Sequence, residues 1–247
     1  NKKRKGKEPM VPDNNNESPL KPGAVPRYIP ERGIALPKDH QQNEFPWTEI
    51  QCIMQMHSWE PFFAHREPWD KDLCDEFYDA LASWKKRPSR PLKIRGVKVP
   101  FSPESIIAQY DGVRTTPRPD MDTLLYDDAI YPIPHEIASV LCEDGYEHDD
   151  TATYLAYKDL KPIVRFLCKF VTFSLVPVRH DSSIRSPVAN ALYFIFSGGF
   201  IDIGHIIFHS IIAHVGKSVR VFPCLITGLC EAARVPRIRR NQPCYGP

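Results

Sequence analysis

The stretch KPIVRFLCKFVTFSLVPVRHDSSIRSPVANALYFIFSGGFIDIGHIIFHSIIAHVGKSVRVFPCLITGLCEAARVP (Lys161–Pro236) holds most of the apolar surface from which this chain can build a core. It divides into four helices. Over Pro162–Val176, Arg165, Lys169 and Thr172 share one narrow face and the remainder is apolar. Val188–Ser197 has Pro187 at its start and Gly198-Gly199 at its end, the residue types that open and close helices. Over Ile201–Val215, at about 100° per residue, Ile201, Phe208, Ile211, Ile212 and Val215 form a wide apolar arc, with Asp202, His205 and His209 together on the other side. FPCLITGLCEAARV (Phe222–Val235) supplies a last, short helix. Arcs this wide belong to helices packed among other helices.

A membrane reading of the same block fails on length. Ser186–Ile201 is free of formal charge, but a spanning helix needs about 20 apolar residues. Asp202, His205, His209 and His214 follow at once, where hydrocarbon would penalise them. The expectation is a soluble protein with no membrane partner.

Upstream the texture is also helical. In PWDKDLCDEFYDALASWKK, Leu73, Phe77, Ala80, Leu81 and Trp84 recur on one face, and Asp70 is placed to cap the helix. PLKIRGVKVPF reads as a short hairpin, because β-branched residues flank Arg95-Gly96. Ser102 and Pro103 then open a short helix. Residues 111–135, rich in Asp, Pro and Thr, read as a long loop, and HEIASVLCEDG as a helix ending near Gly145. The fold class expected is mainly α: a helical single domain over 44–236, a hairpin element near 92–101, and a C-terminal tail over 237–247.

The first 43 residues have a different composition. Of the chain's 25 prolines, seven (Pro9, Pro12, Pro19, Pro22, Pro26, Pro30 and Pro37) fall before residue 40. Proline fixes φ and removes a backbone donor, so a disordered tail is expected over 1–43. Its start, NKKRKGK, carries Lys2, Lys3, Arg4, Lys5 and Lys7 and no acid. Subtracting those five charges from the net +2 leaves the other 240 residues at −3. The basic character therefore sits in one patch, suited to non-specific nucleic-acid contact or nuclear import, or to solubilising a tail. No apolar run follows it, so no signal peptide is read, and the opening Asn rather than Met is what a fragment would show.

Catalytic and metal-binding patterns are weak. Seven scattered cysteines (Cys52, Cys74, Cys142, Cys168, Cys224, Cys230 and Cys244) form no CxxC pair, which argues against zinc ribbons and for a reducing compartment, nucleus or cytoplasm. Asp202, His205 and His209 could ligate a metal, but Ile206, Ile207 and Phe208 fill the interval where HExxH needs its glutamate. A polar strip facing solvent, or a satisfied hydrogen-bond network, explains them as well. His180, Asp181 and Ser182 are neighbours in sequence, which rarely yields triad geometry. Glu143, Asp144, Glu147, Asp149 and Asp150 read as a solvated loop, and Gly198, Gly199 and Gly204 have the wrong spacing for a phosphate loop. No CCHC zinc knuckle occurs. No catalytic residue, cofactor or metal site is assigned.

Six ordered blocks carry a family resemblance: SWEPFF (Ser58–Phe63), CDEFYDAL (Cys74–Leu81), IRGVKVPFSPESI (Ile94–Ile106), PVRHDSSIRSPVANALYFI (Pro177–Ile195), GGFIDIGHII (Gly198–Ile207) and FPCLITGLCEAARV (Phe222–Val235). In this order they resemble the plant transposon protein domain found in retrotransposon-derived frames similar to Athila-type first-frame products. The resemblance spans roughly residues 32–236 and carries over no catalytic residue. It implies a non-enzymatic, Gag-like structural protein that self-assembles into homo-oligomers. The missing zinc knuckle departs from a full Gag product. Two alternatives stay open: a transposase-like Mg-dependent nuclease, and a host-adopted adaptor that binds nucleic acid through its basic tails, with Arg234, Arg237, Arg239 and Arg240 as a second patch.

Overall fold

The computed structural model of the chain describes residues 26–30, 47–62, 68–85, 91–110, 113, 133–175, 183–199 and 201–237. Within them the fold is mainly α, with eight α-helices and three short strand pairs among the described residues. In chain order these are β1 (Arg27–Ile29), α1 (Trp47–His57), α2 (Lys71–Trp84), β2 (Lys93–Ile94), β3 (Val97–Lys98), α3 (Pro103–Ile107), α4 (His135–Leu141), β4 (Tyr154–Ala156), α5 (Pro162–Phe170), β5 (Ser183–Arg185), α6 (Ser186–Phe196), α7 (Ile203–Ala213), β6 (Val219–Val221) and α8 (Pro223–Ala232). No helix among the described residues is long and apolar enough to cross a membrane.

The helix starts follow their capping residues. Asp70 accepts from the backbone N–H of Asp72 (2.9 Å) and Leu73 (3.1 Å), satisfying two of the donors that a helix N-terminus leaves open. Ser102 and Ser105 exchange side-chain and backbone bonds as a capping box, with Pro103 behind the cap. Asp202 caps α7, accepting from the N–H of His205 at 3.0 Å, so that helix begins at Ile203 rather than Ile201. The hairpin expected near 92–101 forms with Lys93 opposite Lys98 and Ile94 opposite Val97. Its two central residues, Arg95 and Gly96, have φ of 50° and 81°, as a tight hairpin with the strands' own twist requires.

Two expectations are corrected. The helix read over Pro162–Val176 is α-helical only to Phe170 and continues as a π turn over Val171–Leu175. There the Thr172 hydroxyl donates to the carbonyls of Cys168 (2.8 Å) and Lys169 (3.3 Å), competing with the i→i−4 ladder. The hairpin is also not the only β structure. β4 pairs antiparallel with β5, and β1, inside the segment 1–43 expected to be a disordered tail, pairs in parallel with β6. Strands of three residues are too short to display an alternating pattern. Apart from 26–30, the tail lies outside the described residues, as do most of the 111–135 loop and 238–247.

Packing is dominated by α2 on α8, α3 on α7 and α4 on α6 around one continuous apolar cluster running from Ile50 to Val235. Its centre is aromatic. His57 stacks on Trp59 (ring centroids 4.4 Å apart), Trp59 on Phe170 (4.8 Å) and Phe62 on Tyr110 (4.2 Å), with Phe62 edge-on to Phe170. The stack joins the end of α1 to α5 and to the residues after α3. At the α3–α7 contact, a Cβ on Gly204 would lie 2.6 Å from the Pro103 carbonyl oxygen and 2.9 Å from Ile107 Cγ1. Only glycine lets these two helices come so close.

Gly204→Ala should therefore cost about 1–3 kcal/mol by overpacking against rigid backbone. Gly228→Ala, whose added carbon would meet only the end of the Gln109 side chain at 3.2 Å, should be near neutral. Urea unfolding of both variants checks the contrast. Burial also pushes the His57 imidazole below its usual 6.5. Below that pH the unfolded chain takes up a proton that the folded chain refuses, so stability falls as pH drops from about 6.5. His57→Leu should flatten this part of the stability–pH curve, read by urea midpoints at pH 7 and pH 5.

Candidate functional site

Among the described residues, those weighed for metal or catalytic chemistry do not converge. Asp202 is buried, and its carboxylate is used twice: on the His205 N–H and, through Oδ2, on His205 Nδ1 at 2.8 Å. His205 and His209 are half-buried with ring centroids 6.2 Å apart. Of the two structural readings, a solvent-facing strip or a satisfied hydrogen-bond network, Asp202 takes the second, as a buried cap. Among the described residues, no three His, Cys, Asp or Glu side chains are grouped so that they could hold a metal ion.

The acidic loop is exposed and internally tied. Glu143 faces Arg165 at 3.4 Å, and Asp149 accepts from the N–H and hydroxyl of Thr151, which holds its carboxyl below the usual range. None of the six described cysteines is in a disulfide. Burial pushes the Cys142 thiol up to about 11 and those of Cys168 and Cys230 to about 12, so these three stay protonated and un-nucleophilic at neutral pH. The basic patch of Lys2, Lys3, Arg4, Lys5 and Lys7 lies outside the described residues, as do His180, Asp181, Ser182, Arg239, Arg240 and Cys244. Arg234 and Arg237 are exposed, and Arg237 pairs with Glu231.

Among the described residues, sequence reasoning missed one polar constellation. β6 brings Arg220 against α2, where residues 71, 75, 78 and 79 share a face. The Arg220 side chain is only 9% exposed. Its Nη1 donates to Asp75 Oδ1, its Nη2 reaches Asp79 Oδ1 at 3.3 Å, and its guanidinium lies 5.4 Å from the Tyr78 ring centre. Lys71 Nζ reaches the other Asp75 oxygen at 2.6 Å. The Tyr78 hydroxyl accepts from the Val221 N–H and donates to its carbonyl, both at 3.0 Å, holding β6 to the helix.

Into this slot β1 inserts Tyr28. Its hydroxyl donates to Asp75 Oδ1, its ring packs on Trp69 at 4.6 Å, and Lys71 Nζ lies 5.7 Å from the ring centre. Burial, reinforced by Asp75, pushes the phenol well above its ordinary range, so it remains a donor at any working pH. The Arg27 N–H donates to the Ser218 carbonyl at 2.9 Å, fixing the parallel register Arg27–Val219, Tyr28–Arg220 and Ile29–Val221. The only traces in the sequence are the pair Tyr28-Ile29 between two prolines and the single charge in the run Val219-Arg220-Val221, neither of which names a partner.

A second tie lies beside it. Arg95, at the hairpin tip, makes a fork on Glu76 with bonds of 3.0 and 2.7 Å and donates to the Pro236 carbonyl. The hydrogen bond to Glu76 raises its pKa further. What these groups offer chemically is attachment: charged ends, buried or half-buried, that fasten strands and termini to α2.

A family profile for the plant retrotransposon-related domain matches residues 55–236. That span is most of the chain, and the chain belongs to this family. No curated protein and no solved structure matches it.

Removing Arg220 would leave Asp75 facing Tyr28 and Lys71 alone. Arg220→Met should cost about 2–4 kcal/mol, the lower part of the range for breaking a buried pair because Asp75 keeps some water contact. The double variant Arg220→Met/Asp75→Leu should recover part of that loss. Tyr28→Phe should cost about 1.5–3 kcal/mol, as for a hydrogen bond to a charged group. With the single variant Asp75→Leu added, chemical denaturation of the wild type and the Arg220 and Asp75 variants closes a double-mutant cycle, and the same measurement reads Tyr28→Phe.

Proposed function

We propose that this plant retrotransposon-related domain is a non-enzymatic, self-assembling structural unit of the Gag type. The observation that carries the reading is the use made of its buried and half-buried ionisable groups. Arg220 and Asp75 fasten β6 to α2, Arg95 and Glu76 fasten the hairpin, Arg165 donates to the carbonyls of Leu160 and Lys158, and Asp202 caps α7. Each maintains shape, and none is left poised for proton transfer or nucleophilic attack. Apolar side chains at the surface provide contact area: Met56 and Tyr154 are exposed, and Tyr193 and Phe196 on α6 are half-buried.

The rival nuclease needs carboxylates gathered around two metal ions. Asp75, Asp79, Glu76 and Asp202 are instead each matched to a cation, a cap or a hydrogen-bond donor. A nucleic-acid-binding role is favoured by one feature, the five positive charges in Asn1–Lys7, and is compatible with assembly on RNA or DNA. The thiol state of the described cysteines and the import-like patch support a nuclear or cytoplasmic location.

Size-exclusion chromatography with light scattering is the direct test. Mass should rise with protein concentration above that of the 28.3 kDa chain. A strictly monomeric protein at high concentration, with or without nucleic acid, overturns the assembly reading. For the nucleic-acid arm, deleting residues 1–7 should lower the slope of log K against log salt by about 4–5, as expected for five lost phosphate contacts at roughly 0.9 each on duplex DNA.

A further inference from the structure

We propose that the slot between α2 and β6 is a strand-acceptor site, which takes the Arg27–Ile29 strand of a second copy of this chain in exchange for its own. The inference rests on the self-assembly reading and gives it a contact.

The acceptor and the strand are separable parts. Every group that receives the strand (Trp69, Lys71, Asp75, Ser218 and Arg220) lies within the family span 55–236, whereas the strand itself lies outside it. Between the strand and the start of α1 run 17 residues, Pro30 to Pro46. Fully extended, these reach roughly 55 Å. A compact domain of this size is about 35–45 Å across. The same strand can therefore reach its own slot or that of an adjoining copy.

The chemistry of attachment is that of strand addition, in which main-chain bonds give affinity and side-chain pockets give specificity. The main-chain part is the parallel register fixed by the Arg27 N–H on the Ser218 carbonyl. The specific part is Tyr28, read by ring contact with Trp69 and by a hydroxyl bond to a carboxylate that Arg220 and Lys71 keep charged. Pro26 and Pro30 bracket the strand and have no N–H to offer. They stop strand pairing at three residues, so exchange gives a defined link between copies rather than an open-ended β stack.

Its energetics allow exchange. Arg27 is exposed, while Tyr28 and Ile29 are only half-buried. A tether of this length gives an effective concentration of the order of millimolar. Copies crowded into one assembly reach similar local concentrations, and each strand released from its own slot is replaced by an identical one.

The test uses the full chain with the photo-cross-linking residue p-benzoylphenylalanine at the exposed position 27. Equal amounts of ¹⁴N- and ¹⁵N-labelled protein are mixed, equilibrated over a concentration series, irradiated and digested. Mass spectrometry then reads whether links from position 27 to residues 69–79 or 218–221 join peptides of the same or of different isotope. Mixed-isotope links that grow with concentration are expected. Because own and exchanged strands make the same Tyr28–Asp75 bond, Tyr28→Phe should weaken both seatings alike and leave the ratio of mixed to same-isotope links unchanged. Same-isotope links alone in an oligomeric sample overturn the exchange and leave the assembly reading standing. Same-isotope links in a sample that light scattering shows to be monomeric overturn both.

Discussion

A guanidinium withdrawn from water must be matched, and the match made by Arg220 organises one side of this fold. With its side chain only 9% exposed, it cannot rely on solvent, so α2 presents Asp75 and Asp79 to it. That pairing sets the rotation of α2 about its own axis. Lys71, Asp75, Tyr78 and Asp79 must face β6, and Leu73, Cys74, Phe77 and Leu81 are then delivered to the core. The Tyr78 hydroxyl and the β1 strand complete the arrangement by occupying the backbone groups of β6.

The start of α2 and the face beside Tyr78 are joined to α8 by smaller bonds with the same logic. The Thr227 hydroxyl donates to the Pro223 carbonyl within its own helix and accepts the Asp70 backbone N–H, while the Cys74 thiol donates to the same carbonyl at 3.3 Å. The half-buried N-terminus of α2 thus has its donors paired, where unpaired ones would be costly. Phe222, between β6 and α8, is fully buried with φ of 57°. A bulky residue held in the left-handed region indicates that surrounding packing overrides local preference at this turn.

This economy bears on function. A catalytic centre keeps groups incompletely satisfied so that they can act on a substrate. Here Arg95, Arg165, Arg220, Asp75 and Asp202 are spent on fastening elements to one another, and the thiols of Cys142, Cys168 and Cys230 are kept protonated by burial. Fastening of this kind holds the shape of the domain.

The sequence by itself determined the helical character of the chain, the Asp70 and Ser102 caps and the Arg95-Gly96 turn, because each rests on local spacing or on residue type at a helix or turn boundary, and it carried the family in six ordered blocks of resemblance. It could also show that Asp202, His205 and His209 shared a helix side, but not that Asp202 would be buried as its cap. Only the tertiary structure decided where Arg220 and Tyr28 would go. Their partners lie 145 and 47 residues away in the chain, and strands of three residues carry no periodic signal to announce them. The close approach at Gly204 was hidden for the same reason: the carbonyl that forbids a side chain there belongs to Pro103, a residue no local pattern connects to it.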